Sequence, residues 1–207
     1  MYRVLRIIFF LPIVLLMPCK IVGAKNIDKK GKVILAINHL TLLDVVILII
    51  YLKRRIYFVG KKELFKNKFV KWFFKKMGVI PIDRENMDIA TVKSIIQVLK
   101  DEHVLGIFPE GTRNKSDDVL LDFKDGTTLF AERTGAPVVP IIIKRKPRLF
   151  VPNKVVIGEK IYFEKNNLDN TKNLRDIMYE MRLKELRKNG KNDKRNDWWN
   201  IRNIRKR

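Results

Sequence analysis

Val-Ile-Leu-Ala-Ile-Asn-His-Leu-Thr-Leu-Leu-Asp-Val-Val-Ile-Leu-Ile-Ile-Tyr, residues 33–51, passes from one regular structure to another within a few positions. The apolar run Val33–Ile37, just after Gly31, predicts a buried strand. Asn38–Leu40 forms a short loop, and from about Thr41 the chain predicts a buried helix that stays apolar to Tyr51. Strand feeding directly into helix is the repeating half-unit of an α/β layer fold. The alternation continues downstream. Strands are predicted at Ile56–Gly60, Val79–Ile82, Val104–Phe108, Val138–Ile143 and Val155–Gly158, with helices at Lys62–Met77, Asp88–Lys100 and Thr127–Thr134. A long basic helix and tail follow. Strands that are apolar on both faces belong in a largely parallel sheet covered by helices. The expected fold is therefore α/β: a single domain with a mixed, largely parallel central sheet flanked by helices. Residues 1–27 read as an apolar membrane-associating segment, 28–165 as the catalytic domain and 166–207 as a basic helix and tail.

The 207 residues, 46% of them hydrophobic, are enough for one well-filled core and too apolar for a disordered chain. The net charge of +22, from 44 basic and 22 acidic residues, points to a polyanionic partner: nucleic acid, an anionic membrane or a phosphorylated substrate. Cys19 is the only cysteine, so no internal disulfide forms. Near the N-terminus, Ile7–Cys19 is uncharged and contains Pro12 and Pro18. As a helix this stretch is about 20 Å long, against roughly 30 Å of bilayer hydrocarbon. An in-plane or re-entrant anchor is the expectation. A secretory signal, with Val22-Gly23-Ala24 as its cleavage region, and a helix packed on the domain are the alternatives.

His39 and Asp44 carry the first chemical signal. Five residues apart on one helix they would sit about 140° apart around the axis. They meet only if His39 lies in the loop and Asp44 in the first turns of the helix, and the strand–loop–helix reading supplies that arrangement. An acid on one ring nitrogen sets the tautomer and leaves the other to take a proton, an effect of about 10²–10⁴-fold in general-base catalysis. Thr41 and Asp44 also match a helix-capping pattern, in which the acid is structural. No serine or cysteine is placed as a partner nucleophile, no metal-ligand spacing occurs, and no Gly-x₄-Gly-Lys phosphate loop is present. A base without a protein nucleophile suits direct deprotonation of a substrate hydroxyl. Arg84, Arg113 and Lys124 lie in the loops after predicted strands, where they suit a phosphate. His103 opens an apolar strand and reads as structural.

These residues fall in an ordered set: Asn-His-x₄-Asp at 38–44, Gly-Val-Ile-Pro-Ile-Asp-Arg at 78–84, Phe-Pro-Glu-Gly-Thr-Arg at 108–113, Phe-Lys-x-Gly at 123–126 and Ala-Pro-Val-Val-Pro-Ile at 136–141. Over roughly residues 20–160 the chain resembles the glycerolipid acyltransferases, specifically the bacterial 1-acyl-glycerol-3-phosphate acyltransferases. The resemblance implies His39 as general base and Asp44 as its partner. It implies that Arg84 and the turn Glu110, Gly111, Thr112 and Arg113 engage the acceptor phosphate, with Lys124 nearby. The implied reaction is acyl transfer from an acyl-CoA or acyl-carrier-protein thioester to the sn-2 hydroxyl of lysophosphatidate, giving phosphatidate without metal or cofactor. Backbone amides near Gly111 are the expected oxyanion donors. Glycerol-3-phosphate and other lysolipids stand as alternative acceptors. Pro81, Asp125 and the polar Gly126-Thr127-Thr128 depart from the usual pattern.

Such a substrate implies a membrane surface, and the expected location is its cytoplasmic face, in a monotopic or peripheral protein. Residues 61–76 carry seven lysines against Glu63 alone, interleaved with aromatics, which suits an interfacial helix. From Arg182 to Arg207 eleven basic residues face three acids, with Trp198 and Trp199 together. A nucleic-acid-binding module is the competing class. It leaves the ordered motifs unexplained, and no nucleic-acid partner is expected.

Overall fold

The computed structural model describes residues 2–83 and 89–190. Seven strands form one sheet in the order β1-β7-β6-β2-β5-β3-β4. They are β1 (Cys19–Val22), β2 (Val33–Ile37), β3 (Ile56–Lys61), β4 (Val79–Ile82), β5 (Val104–Ile107), β6 (Val138–Ile143) and β7 (Asn153–Ile157). Neighbours pair in parallel except β6 with β7, so the sheet is mixed and mostly parallel. β2 is central, with Ile34 opposite Val138 on one side and Leu105 on the other.

All five residues of β2 are buried because both of its faces are covered. Val33, Leu35 and Ile37 point to helices α1 (Tyr2–Leu16) and α2 (Leu43–Tyr51). Ile34 and Ala36 point to α4 (Ile89–Lys100), α5 (Gly126–Thr134) and α6 (Asn170–Gly190). Each fully buried aliphatic side chain contributes about 1.5–3 kcal/mol. Gly106 of β5 sits where no side chain fits: a Cβ there would meet the Phe58 ring at 2.6 Å.

The strand–loop–helix reading of 33–51 agrees with the fold to within a residue or two. Elsewhere the elements differ. The predicted helix Lys62–Met77 is a 3₁₀ turn at Lys62–Phe65 followed by α3 (Lys68–Met77). Asn67 restarts it, its side-chain oxygen accepting the Phe69 N–H at 2.8 Å as a helix cap does. The segment expected to be an in-plane or re-entrant anchor begins with a helix that packs one side on the domain. Helix α1 runs through Pro12, whose missing N–H falls on the exposed Ile8 side, and stops before Pro18. Tyr2 and Met17 enter the core while Ile7, Phe9, Phe10, Leu11 and Leu15 stay exposed. Among the described residues no helix is long and apolar enough to cross a membrane. Arg6 ties α1 to the end of α2, donating to the Lys53 and Ile50 carbonyls at 2.9 and 3.3 Å. Residues 19–22, read as part of the membrane-associating segment 1–27, are an edge strand paired with β7. Within the segment read as a basic helix and tail, α6 packs on the same body, since its Leu174, Met178 and Leu183 are buried.

Candidate active site

The loops after β2, β5 and β6 emerge at the same end of the sheet, the carboxyl end of its parallel strands, where open α/β sheets bind ligands. His39 lies two residues past β2 and Asp44 in the first turn of α2. The His39 Nδ1 stands 3.1 Å from Asp44 Oδ2. The same oxygen accepts the Leu40 and Thr41 amides, both at 2.7 Å, and Oδ1 accepts the Thr41 hydroxyl at 3.2 Å. The capping role and the role as histidine partner therefore coexist in one carboxylate. With Nδ1 donating to Asp44, Nε2 carries the lone pair, as a base requires. The imidazole is stacked on Phe108, with centroids 3.9 Å apart, and His39 is 8% exposed. Phe108 was expected inside a strand. β5 ends one residue earlier, and the ring turns out of the ladder onto His39.

Glu110 does not line an anion site. It is 3% exposed, and its oxygens accept the His39 N–H at 2.8 Å and the Leu121 N–H at 2.9 Å. It brackets the histidine loop to the turn after β5, so the geometry corrects its expected place among the phosphate ligands. Asn114 closes the bracket from the other side, donating its N–H to the His39 carbonyl at 2.7 Å. Burial pushes the Glu110 carboxyl above its usual range, opposed by the two amide bonds and by the His39 and Arg182 charges. Gly111 adopts φ +65°, a left-handed turn, and its N–H donates to the Phe108 carbonyl at 2.9 Å. That amide is therefore already used, which leaves its neighbours as the amides near Gly111 to which the oxyanion role was assigned. A side chain at this glycine would strike Lys124, whose Cε would lie 3.0 Å from its Cβ.

Thr112 and Arg113 are exposed on the turn, and Arg84 lies outside the described residues. Beside Phe108 is a cleft of about 110 Å³ whose lining includes Ile82, Phe108, Pro109, Gly111, Lys124 and Phe130. Of the expected phosphate ligands, Gly111 and Lys124 thus line it, whereas Thr112 and Arg113 do not. Cys19 is no rival nucleophile: burial pushes its thiol up to about 11, and it stands in β1. No metal-binding cluster of His, Cys, Asp and Glu occurs among the described residues.

Two buried groups escaped the sequence reading. Asn38 is bonded twice to Ile143 of β6, accepting its N–H at 2.7 Å and donating to its carbonyl at 3.2 Å. Arg182 of α6 reaches the same carbonyl. Asn38 had a signal, being the first residue of the histidine motif. Arg182 had none, since it lies in a polar stretch far along the chain.

Comparison with known proteins places the chain among acyltransferases. The chain is 35% identical over 149 residues to a 1-acyl-sn-glycerol-3-phosphate acyltransferase of Bacillus subtilis, covering 69% of this chain and 73% of that one. It is 32% identical over 135 residues to the enzyme of that name from Borreliella burgdorferi, covering 64% of this chain and 54% of that one. The chain thus spans about half the length of the Borreliella relative. The crystal structure of the 1-acyl-sn-glycerophosphate (LPA) acyltransferase PlsC from Thermotoga maritima superimposes with a TM-score of 0.63 at 25% identity, covering 80% of this chain and 71% of that one. Residues 18–144, which hold the histidine, the aspartate and the turn after β5, match the sequence profile described as Acyltransferase, and the chain belongs to that family.

Proposed function

We propose that the protein transfers a fatty acyl group from a thioester to the sn-2 hydroxyl of 1-acyl-sn-glycerol-3-phosphate, forming phosphatidate. The observation that carries this reading is the buried His39–Asp44 pair, its Nε2 left as the basic nitrogen. The names of the Bacillus and Borreliella relatives supply the acceptor. His39 Nε2 takes the hydroxyl proton as the oxygen attacks the thioester carbonyl, and Asp44 supports the imidazolium that forms. The imidazolium returns the proton as the thiolate leaves. Lys124, charged and lining an otherwise mostly apolar cleft, suits the phosphate of an acceptor whose chain occupies the apolar part. Arg84 and Arg113 are proposed as its further cationic contacts. Coenzyme A and acyl-carrier protein both present a phosphopantetheine thioester, and either fits the strongly positive chain.

The working surface is proposed to be an anionic bilayer, met at its cytoplasmic face. The exposed apolar side of α1, Leu42 and Leu43 at the start of α2, and Leu149 and Phe150 after β6 suit the interface. The Phe150 N–H donates to the Leu16 carbonyl at 2.6 Å, tying that loop to the end of α1. Phe69 and Trp72 of α3 stand exposed among lysines, as an interfacial helix requires. The basic tail with Trp198 and Trp199 lies outside the described residues.

The test is acyl transfer from a labelled thioester to lysophosphatidate, with the native chain and His39→Ala side by side. Phosphatidate from the native chain alone supports the acceptor and the base together. Product from glycerol-3-phosphate or another lysolipid, with none from lysophosphatidate, overturns the acceptor. Equal product from both chains overturns the base.

A further inference from the structure

Arg182 is a buried cation to which acyl transfer assigns no task. It stands on α6 and is 8% exposed. Its Nη1 donates to the Ile143 carbonyl at 2.5 Å and to the Lys144 carbonyl at 2.7 Å, at the very end of β6. Ile143 is also the residue that Asn38 grips with both ends of its carboxamide. Asn38 immediately precedes His39, so α6 is linked to the base through one carbonyl and one side chain. The Arg182 Nε has no hydrogen-bond partner among the described residues. A guanidinium held by two neutral carbonyls is a costly group to bury without a counter-charge. Asp44 and Glu110 provide that charge, raising the proton affinity of Arg182 while burial lowers it to about 10. The guanidinium therefore remains charged at neutral pH. The effect is mutual, because Arg182 opposes the burial that raises the Glu110 carboxyl.

We infer that Arg182 is a positioning residue of the active site: its charge balances the buried Asp44 and Glu110 carboxylates, and its guanidinium holds the Asn38–His39 turn against the end of β6. It touches no reacting atom. The other charged groups around this network are His39, between the two acids, Lys144 at the strand end, and Lys154 and Lys188, which both pair with Glu185 on α6. The catalytic consequence rests on the acyl-transfer reading, whereas the electrostatic one does not.

Thermal unfolding of the full chain decides the matter without any substrate. Native protein, Arg182→Met and Arg182→Lys are compared at about pH 4.5, near the ordinary glutamate range, and at about pH 8. Methionine removes the cation, so the folded-state pKa of Glu110 rises further above its unfolded value. A carboxyl raised in this way costs stability as pH climbs through the interval between the two values. The melting deficit of Arg182→Met should therefore widen by about 3–5 °C from the lower to the higher pH. Arg182→Lys keeps the charge and should show one deficit at both. A methionine deficit that is equal at the two pH values overturns the proposal, because lost carbonyl bonds and volume do not titrate. If Arg182→Met fails to fold, Arg182→Gln is read the same way. In the acyl-transfer assay, the acid limb of kcat/KM should move to higher pH in Arg182→Met and stay in place in Arg182→Lys. A native chain inactive on lysophosphatidate overturns the acceptor assignment and leaves the unfolding result to stand or fall alone.

Discussion

His39 and His103 stand at opposite ends of the same sheet, and each ring lies against an aromatic neighbour. His39 follows β2 at the carboxyl end and stacks on Phe108 at 3.9 Å. His103 precedes β5 at the amino end and stacks on Tyr57 at 5.0 Å. The Val33 N–H donates to the His103 carbonyl, so the two histidines bracket β2 through the backbone. What separates them is the surrounding shell. His39 has a carboxylate on its ring and a second on its amide, whereas no carboxylate bonds the His103 ring among the described residues. A helix begins beside His39, and its first-turn acid can face back to the strand end. At the amino end the chain arrives from the carboxyl terminus of α4, which offers carbonyls: the His103 N–H donates to the Val98 carbonyl at 3.1 Å. Position in the parallel sheet, more than residue type, gives one histidine a carboxylate partner and leaves the other a surface group.

The sharpest test of that contrast is His39→Ala, expected to lower kcat/KM by about 10³-fold or more while the chain stays folded. Asp44→Asn comes next. It preserves shape and can keep an oxygen toward the three donors that meet Oδ2, but that oxygen is neutral, so it holds them more weakly and gives no charge to support an imidazolium. Activity should fall by about 10²–10³-fold, and the weakened bonds should lower stability by about 1–3 kcal/mol in denaturant unfolding. Unaltered activity in Asp44→Asn would reduce the acid to a helix cap and erase the distinction between the two histidines.

Glu110→Gln probes the bracket rather than the base. Both carboxylate oxygens accept backbone N–H groups, and a glutamine has one oxygen and one donor for those two sites. One amide, at His39 or at Leu121, must then face another donor. The expected cost is about 1–3 kcal/mol in stability and about tenfold in kcat. A selective rise in KM for the acceptor, with kcat unchanged, would return Glu110 to the phosphate site.

The contrast also explains how much could be read in advance. The histidine loop was legible because strand, loop and helix are consecutive, so chain order alone brings His39 to Asp44. Lys124 was singled out because Phe-Lys-x-Gly at 123–126 lies in the polar loop between the strand ending at Ile107 and helix α5. The reach of Glu110 was not, since an acid in a polar turn looks solvated until the fold turns it inward to the His39 amide. The same blindness hid Arg182, which meets the site only after α6 packs across β6. Edge strand β1 was missed for a local reason. Its four residues alternate between half-buried and exposed, too short a pattern to separate from the apolar run before it.

His103→Gln is the smallest expected effect and the control on the whole contrast. The residue is exposed, and among the described residues its ring stacks only on Tyr57, which the Arg55 guanidinium also covers at 4.7 Å from the centroid. The backbone bonds to the Val98 carbonyl and from the Val33 N–H do not depend on the side chain. Glutamine keeps a flat polar group over Tyr57, so stability should change by no more than about 0.5 kcal/mol, as for other surface substitutions. Acyl transfer should stay within about twofold of native, because the substituted group lies a full strand length from His39. A tenfold loss with the fold intact would mean that the amino end of the sheet takes part in catalysis, and the positional argument would fail where it is most exposed.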